Sequence, residues 1–129
     1  MALRPSCRVL AVEVETGAPL TAALAAGEVR AVDYRPSFVD GIGSKTVFES
    51  MLRRAQRLLD GTVVVTLDEV AAAVRLLASR AHVVAEGAGA ASVAAALSGR
   101  AGSGRTSCIV SGGSIDPATL ASLLAGDRV

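Results

Sequence analysis

Cysteine, histidine and lysine are scarce in this 129-residue chain, and each shortage removes a class of function. The two cysteines, Cys7 and Cys108, lie far apart and neither forms a Cys-x-x-Cys unit. That argues against a disulfide scaffold and leads us to expect a reduced, cytoplasmic setting. Together with the single histidine, His82, they offer too few evident ligands for a structural zinc centre, and His82 reads as an ordinary edge residue. The only lysine, Lys45, follows Gly43-Ser44 but lacks a G-x-x-x-x-G-K-[ST] loop, so it reads as a solvent-facing residue near a helix start. No G-x-S-x-G elbow or triad turns a serine into a hydrolytic nucleophile. Charge of one sign is lacking too: 13 basic and 12 acidic residues leave a net charge of +1, which gives nucleic acid no electrostatic footprint. The cluster Arg53, Arg54, Arg57 then reads as a solvated helix face. No apolar run approaches the length of a bilayer span, and no charged stretch with a secretory apolar segment stands at the amino end. Neither nucleic acid nor membrane is expected as a partner.

Alanine, valine and leucine are what the chain has in quantity, and a hydrophobic share of 51% permits a substantial core in one domain. The expected fold class is α/β, an open sheet in three layers, with helices and strands alternating along the chain and no internal repeat. A first strand is expected at Arg8 to Val12, then a turn at Gly17 and Pro19 and a short helix over Leu20 to Ala26. Pro36 and the glycines up to Gly43 place Asp40 and Gly41 in a connecting loop. From Val47, the positions of Phe48, Met51, Leu52, Ala55, Leu58 and Leu59 make a helical stripe, with Thr46 and Glu49 as a capping box and Gly61 as the stop. Thr62 to Thr66 is a β-branched strand, and Thr66 with Glu69 caps the helix bearing Val70, Val74 and Leu77. A short apolar segment, His82 to Ala85, precedes an alanine-rich helix that ends at Ser98-Gly99. A last strand from Thr106 leads to a helix capped by Asp116 and opened by Pro117.

Two segments carry the functional signal. In Thr106-Ser107-Cys108-Ile109-Val110-Ser111-Gly112-Gly113, an apolar strand reaches a small turn whose polar side chain is Ser111. Such a carboxyl end of a strand is where open α/β sheets bind ligands. The pattern alone fits a plain strand-to-helix turn, a phosphate or nucleotide cradle, or another cofactor contact. In Val83-Val84-Ala85-Glu86-Gly87-Ala88-Gly89, an acidic residue stands between an apolar segment and a small-residue helix, but Gly87 and Gly89 match only part of a dinucleotide-binding turn.

Taken together, these segments resemble the late part of a fold-type II pyridoxal-phosphate enzyme of the serine/threonine dehydratase family. Val39-Asp40-Gly41-Ile42 and Arg8-Val9-Leu10-Ala11-Val12-Glu13 match two further family segments in the correct order. The resemblance covers nearly all of residues 1–129 but much less of a complete enzyme. It implies a single α/β domain, or a piece corresponding to the C-terminal portion of a larger catalytic chain. By that resemblance, Ser111 would bond the pyridine nitrogen of pyridoxal phosphate, Gly112 and Gly113 would let the backbone pass the ring, Glu86 would organise nearby polar groups, and Gly41 with Asp40 would lie along the ring's other side.

The pattern also departs from the family. The frequent Ser-Gly-Gly-Asn becomes Ser111-Gly112-Gly113-Ser114. Metal-stimulated relatives carry Glu, a carbonyl and Asp in the first segment; Glu13 and Gly17 match, but Pro19 stands where the acidic ligand would be, so no metal is assigned. The family's cofactor-binding lysine and its phosphate loop lie upstream of the matched segments, and Lys45 falls in the wrong segment to replace the former. The implied activity is ammonia-lyase conversion of threonine or serine to a 2-oxo acid and ammonia, with the chain alone inactive and no catalytic residue of its own. Completion would come from the missing N-terminal portion or another chain, with self-association as a further expectation. Cofactor retention by the chain alone is left open. A noncatalytic binding or assembly module and part of an amino-acid racemase are the alternatives.

Overall fold

A computed structural model describes residues 6–127. Strand β1 (Leu10–Val14) and strand β2 (Gly61–Val65) form a parallel pair in which Leu10 stands opposite Gly61 and Val14 opposite Val65. The connection between them holds helix α1 (Pro19–Ala26) and helix α2 (Glu49–Leu58). Helix α3 (Leu67–Leu76) follows β2 and runs into a π-helical turn at Leu77–Ala81, and helices α4 (Gly87–Leu97) and α5 (Pro117–Ala125) complete the order.

Alternation of side chains across the strands builds the layers. Glu13 and Thr62 point to one face, where Thr21 of α1 bonds both, and α2 packs outside α1. Val63 and Val65 point to the opposite face, against α4, which packs in turn on α3. The result is an α/β fold in three layers, as expected. Its core is aliphatic: Val14, Val65, Val70 and Val74 are fully buried beside Ala73, Ala90 and Ala94.

Local signals account for several boundaries. Pro19 opens α1, whose missing N–H costs nothing at that position, and Gly27 closes it in the left-handed conformation at φ 76°. Asp116 accepts the N–H of Thr119 at 2.9 Å, and Pro117 opens α5, both as the sequence suggests. At α3 the expected capping box is present: Thr66 Oγ1 accepts the Glu69 N–H at 3.2 Å, and Glu69 Oε2 accepts the Thr66 N–H at 2.8 Å.

Other expectations need correction. Thr46 and Glu49 form no capping box, because Phe48 is the residue that precedes α2 and its side chain caps nothing. Thr46 is held in the loop by Ser44, whose hydroxyl accepts its N–H and donates to its carbonyl, while Glu49 pairs with Arg53. Gly61 is not the stop of α2. The helix ends at Leu58, and Asp60 turns the chain by bracketing Val9: its N–H donates to the Val9 carbonyl and its carboxylate accepts the Val9 N–H. That bracket starts the β1 ladder at Leu10, two residues beyond the expected Arg8. The short apolar segment His82 to Ala85 and the stretch from Thr106, the latter expected as the last strand, join no ladder. His82 instead closes the π-helical turn with φ 56°. The α2 stripe is only half covered, with Leu52 and Ala55 buried but Phe48 80% and Met51 52% exposed.

Arg100 donates to Glu69 Oε2 at 2.6 Å, and this cation, with the Thr66 N–H next, holds the Glu69 carboxyl below its ordinary value near 4.5. A carboxyl with a depressed folded pKa stabilises the fold above its unfolded value and loses that contribution as pH falls through the folded one. We therefore expect the chain to lose stability below about pH 4.5, partly through Glu69. Urea unfolding of Glu69→Gln across that range should show a shallower acid decline and a lower plateau at neutral pH.

Candidate functional site at the amino end of α4

Three backbone segments meet at the first turn of α4, and glycine is what lets them approach. A Cβ on Gly87 would stand 2.9 Å from Val39 Cγ2 and 3.1 Å from the Phe38 carbonyl oxygen, so the 38–41 loop lies directly against the helix start. A Cβ on Gly89 would strike the Gly112 carbonyl oxygen, so the 112–114 turn lies against the next residues of the helix.

Glu86 joins all three. It occupies the residue before α4, yet its side chain does not cap that helix. Its N–H donates to the Gly112 carbonyl at 3.1 Å, and its Oε2 accepts the Ser114 N–H at 2.9 Å. A Cβ on Gly112 would come within 2.6 Å of Oε1, and one on Gly41 would lie 3.5 Å from the same oxygen and 2.8 Å from Ala88 Cβ. The carboxylate also sits at the amino end of a helix, where its charge is favoured by the unpaired N–H groups. Of the residues expected beside a cofactor, Gly41 and Gly112 thus flank the carboxylate of a third, Glu86. Ser111 is the next residue out and is exposed.

The remaining candidates lie elsewhere. Glu13 is buried, and its carboxylate clamps α1: Oε1 accepts the Leu20 N–H at 2.8 Å, while Oε2 accepts the Thr21 N–H and hydroxyl, each at 2.7 Å. Among the described residues no group of three His, Cys, Asp or Glu side chains could hold a metal ion. Lys45 is exposed, and its carbonyl accepts the Val32 N–H beside the turn at Gly17. No described hydrogen bond links it to Ser111 or Glu86. Two contributors were not assigned to the site from sequence: Gly89, which seats the 112–114 turn, and the Ser114 N–H, which meets Glu86. A backbone donor leaves no mark in residue identity, whereas the spacing of Gly87 and Gly89 in one helical turn was a usable sign of close backbone contact.

Comparison with known proteins matches residues 1–112 to the family model described as pyridoxal-phosphate dependent enzyme. The chain belongs to the pyridoxal-phosphate-dependent enzyme family. Within it, the chain is 34% identical over 115 residues to an L-threonine ammonia-lyase of Thermotoga maritima, covering 88% of this chain and 29% of that protein. The structure matches the processed form of threonine deaminase isoform 2 from Solanum lycopersicum with TM-score 0.83 and 26% identity, over 95% of this chain and 37% of that one. It matches maize serine racemase with TM-score 0.82 and 26% identity, over 97% of this chain and 41% of that one. The chain therefore spans less than half the length of each of these relatives. Its α/β fold is that of the fold-type II catalytic domain, and its sequence is homologous to threonine/serine dehydratases of this pyridoxal-phosphate family.

The obstacles at the two glycines differ in kind, which sets a test. Gly89→Ala meets backbone and should cost about 2 kcal/mol, whereas Gly112→Ala meets a side chain that can be removed. In urea unfolding, Gly112→Ala should cost about 1 kcal/mol less in a Glu86→Ala background, while the cost of Gly89→Ala should be the same in both backgrounds.

Proposed function

We propose that this chain carries the part of a pyridoxal-phosphate-dependent ammonia-lyase that meets the pyridine-nitrogen edge of the cofactor, corresponding to the C-terminal portion of the catalytic chain of a threonine or serine dehydratase. The observation that carries this reading is the exposed Ser111 standing beside the Gly41–Glu86–Gly112 contact. A hydroxyl can donate to or accept from a ring nitrogen, and it does so without favouring the protonated ring as a carboxylate would. Gly112, closed off on one side by Glu86, leaves no side chain between the ring and the backbone beyond Ser111. Gly41 brings the loop backbone to the other side.

The residues present fit one edge of the cofactor. Lys45 is exposed, its carbonyl accepts the Val32 N–H, and no described hydrogen bond brings it to Ser111 or Glu86, so a covalent lysine and a phosphate cradle are assigned to polypeptide outside this span. When bound, pyridoxal phosphate supplies a conjugated electron sink for negative charge at the substrate Cα. This chain's share is to hold the ring at its nitrogen through Ser111 and to keep Ser111 in place through the Glu86 bonds to Gly112 and Ser114. The net reaction would take threonine to 2-oxobutanoate and ammonia, or serine to pyruvate and ammonia.

The chain is to be assayed with pyridoxal phosphate alone and together with the separately produced upstream portion of the Thermotoga maritima enzyme. We expect no 2-oxo acid from the chain alone and turnover from the mixture. In the mixture, Ser111→Ala should lower kcat/KM about tenfold while circular dichroism is unchanged, the loss of one hydrogen bond to the ring. Ser111→Asp should shift the cofactor absorbance more strongly. Stoichiometric attachment of the cofactor at Lys45 with 2-oxobutanoate formed by the chain alone would overturn the reading. Racemisation of serine without ammonia release would move the assignment to a racemase.

A further inference from the structure

Helix α2 buries only part of its apolar stripe. Phe48, Met51, Ala55 and Leu58 follow one another at the three-and-four spacing that lines side chains up along one flank of a helix. Ala55 is buried, but Phe48, Met51 and Leu58 are each more than half exposed. That flank is not flat. A cavity of about 520 Å³ opens on it, with Leu20 of α1 as one wall. Met51, Arg54, Ala55 and Leu58 all line the cavity, and they stand at positions i, i+3, i+4 and i+7 of one helix. Four residues in that relation form the hole that receives a side-chain knob from a facing helix. Ala55 makes the floor, because its methyl stands where the other members of the stripe carry long side chains.

Charge narrows the choice of occupant. Arg54 is the charged residue that lines the cavity, and no acidic side chain does. Along α2 three arginines stand against one glutamate, and Glu49 pairs with Arg53, which leaves Arg54 and Arg57 with no described ion pair. A second copy would bring the same cationic flank and is opposed by like charge. A lipid surface can cover exposed apolar side chains but puts no knob into the hole.

We propose that this groove docks an amphipathic helix of a partner protein, whose apolar side chains, at the same three-and-four spacing, seat in the hole over Ala55 and whose flanking carboxylates meet Arg54 and Arg57. The groove lies on the α1 side of the β1–β2 pair, and α4 packs on the opposite side. Docking is therefore separate from the contact of Glu86 with the 112–114 turn, and it stands or falls independently of the lyase reading.

Two synthetic peptides of about four helical turns, stapled because isolated helices this short are marginal in water, test it against the 129-residue chain by fluorescence anisotropy. Both carry leucine at the same three-and-four spacing; one is flanked by glutamates and the other by lysines. The glutamate peptide should bind about tenfold or more tighter than the lysine peptide, and added salt should narrow the difference. Met51→Glu puts a charge at the rim of the hole and should weaken the glutamate peptide about tenfold. Urea unfolding should be unchanged by it, since Met51 is exposed and glutamate suits a helix. Arg54→Glu combined with Arg57→Glu should reverse the preference toward the lysine peptide. Equal affinity for the two peptides, no binding of either, or binding that Met51→Glu leaves intact would overturn the proposal. Phosphatidylserine vesicles that hold the chain against competing glutamate peptide, and release it on Met51→Glu, would give the face to a membrane and overturn the proposed occupant. Self-association abolished by Met51→Glu would do the same in favour of a second copy. Loss of peptide binding on adding the upstream portion of the Thermotoga maritima enzyme would show the groove covered within the enzyme and overturn an external partner.

Discussion

Helix α4 lies where it does because its buried side carries almost no side-chain volume. Gly87, Gly89, Ala90, Ala91, Ala94 and Ala95 are all buried, and they let the helix backbone come close to α3, to both strands and to two loops at once. Dispersion contacts fall off steeply with separation, so a core filled by alanine and valine holds together only if its backbones approach this closely. The same constraint makes the candidate site a backbone construction. At the amino end of α4 the 38–41 loop and the 112–114 turn are seated on glycines, and Glu86 is the charged side chain enclosed between them.

A second carboxylate organises the opposite layer. Glu13 is buried in the β1 face that meets α1, and a buried charge is costly unless hydrogen bonds replace its water. Here the replacement is the unpaired start of a helix: two backbone N–H groups and one hydroxyl converge on the carboxylate, and Thr21 passes the connection on to Thr62 of β2. Pro19 belongs to the same device. It begins α1 without an N–H to satisfy, and the next two donors, Leu20 and Thr21, take the two carboxylate oxygens.

What could be read from sequence followed the range of the interaction. The Thr66–Glu69 box, Asp116 before Pro117 and the end of α4 near Gly99 depend on residues within one turn of each other, and the structure shows them as expected. The equally plausible Thr46–Glu49 box was lost to a longer-range competitor, since the Val32 to Lys45 backbone bond and Ser44 hold that stretch outside the helix. Gly61 looked like a helix stop because glycine often is one, but the reversal is made by Asp60 gripping Val9, far away in sequence. Apolar and β-branched content made His82 to Ala85 and the stretch from Thr106 candidates for strands, and neither joins a ladder. Such content carries no information on whether a neighbouring strand is present to pair with them. At the site, Glu86, Gly41, Gly112 and Ser111 were legible through resemblance to a family, whereas the convergence of the three segments on one carboxylate is a three-dimensional fact that no spacing encodes.

The two kinds of satisfaction are unevenly distributed, and that asymmetry bears on function. Helix ends are well supplied: Thr66 and Glu69 at α3, Asp116 at α5, Glu13 at α1, and left-handed residues at Gly27, His82 and Gly126. Strand edges are not, because among the described residues β1 and β2 share the one ladder of their two-stranded sheet. A two-stranded sheet contributes little stability by itself, so the aliphatic contact of α3 and α4 over one face must hold the strands in register. Ser111 stands at the boundary between these regimes. On its carboxyl side Glu86 fixes Gly112 and Ser114 through bonds to the backbone, and on its amino side lies a stretch whose edge is unpaired. On the proposed reading, a hydroxyl that meets a ring nitrogen needs its position set within a hydrogen bond's tolerance. The Glu86 bonds to Gly112 and Ser114 supply that positioning on the carboxyl side of Ser111.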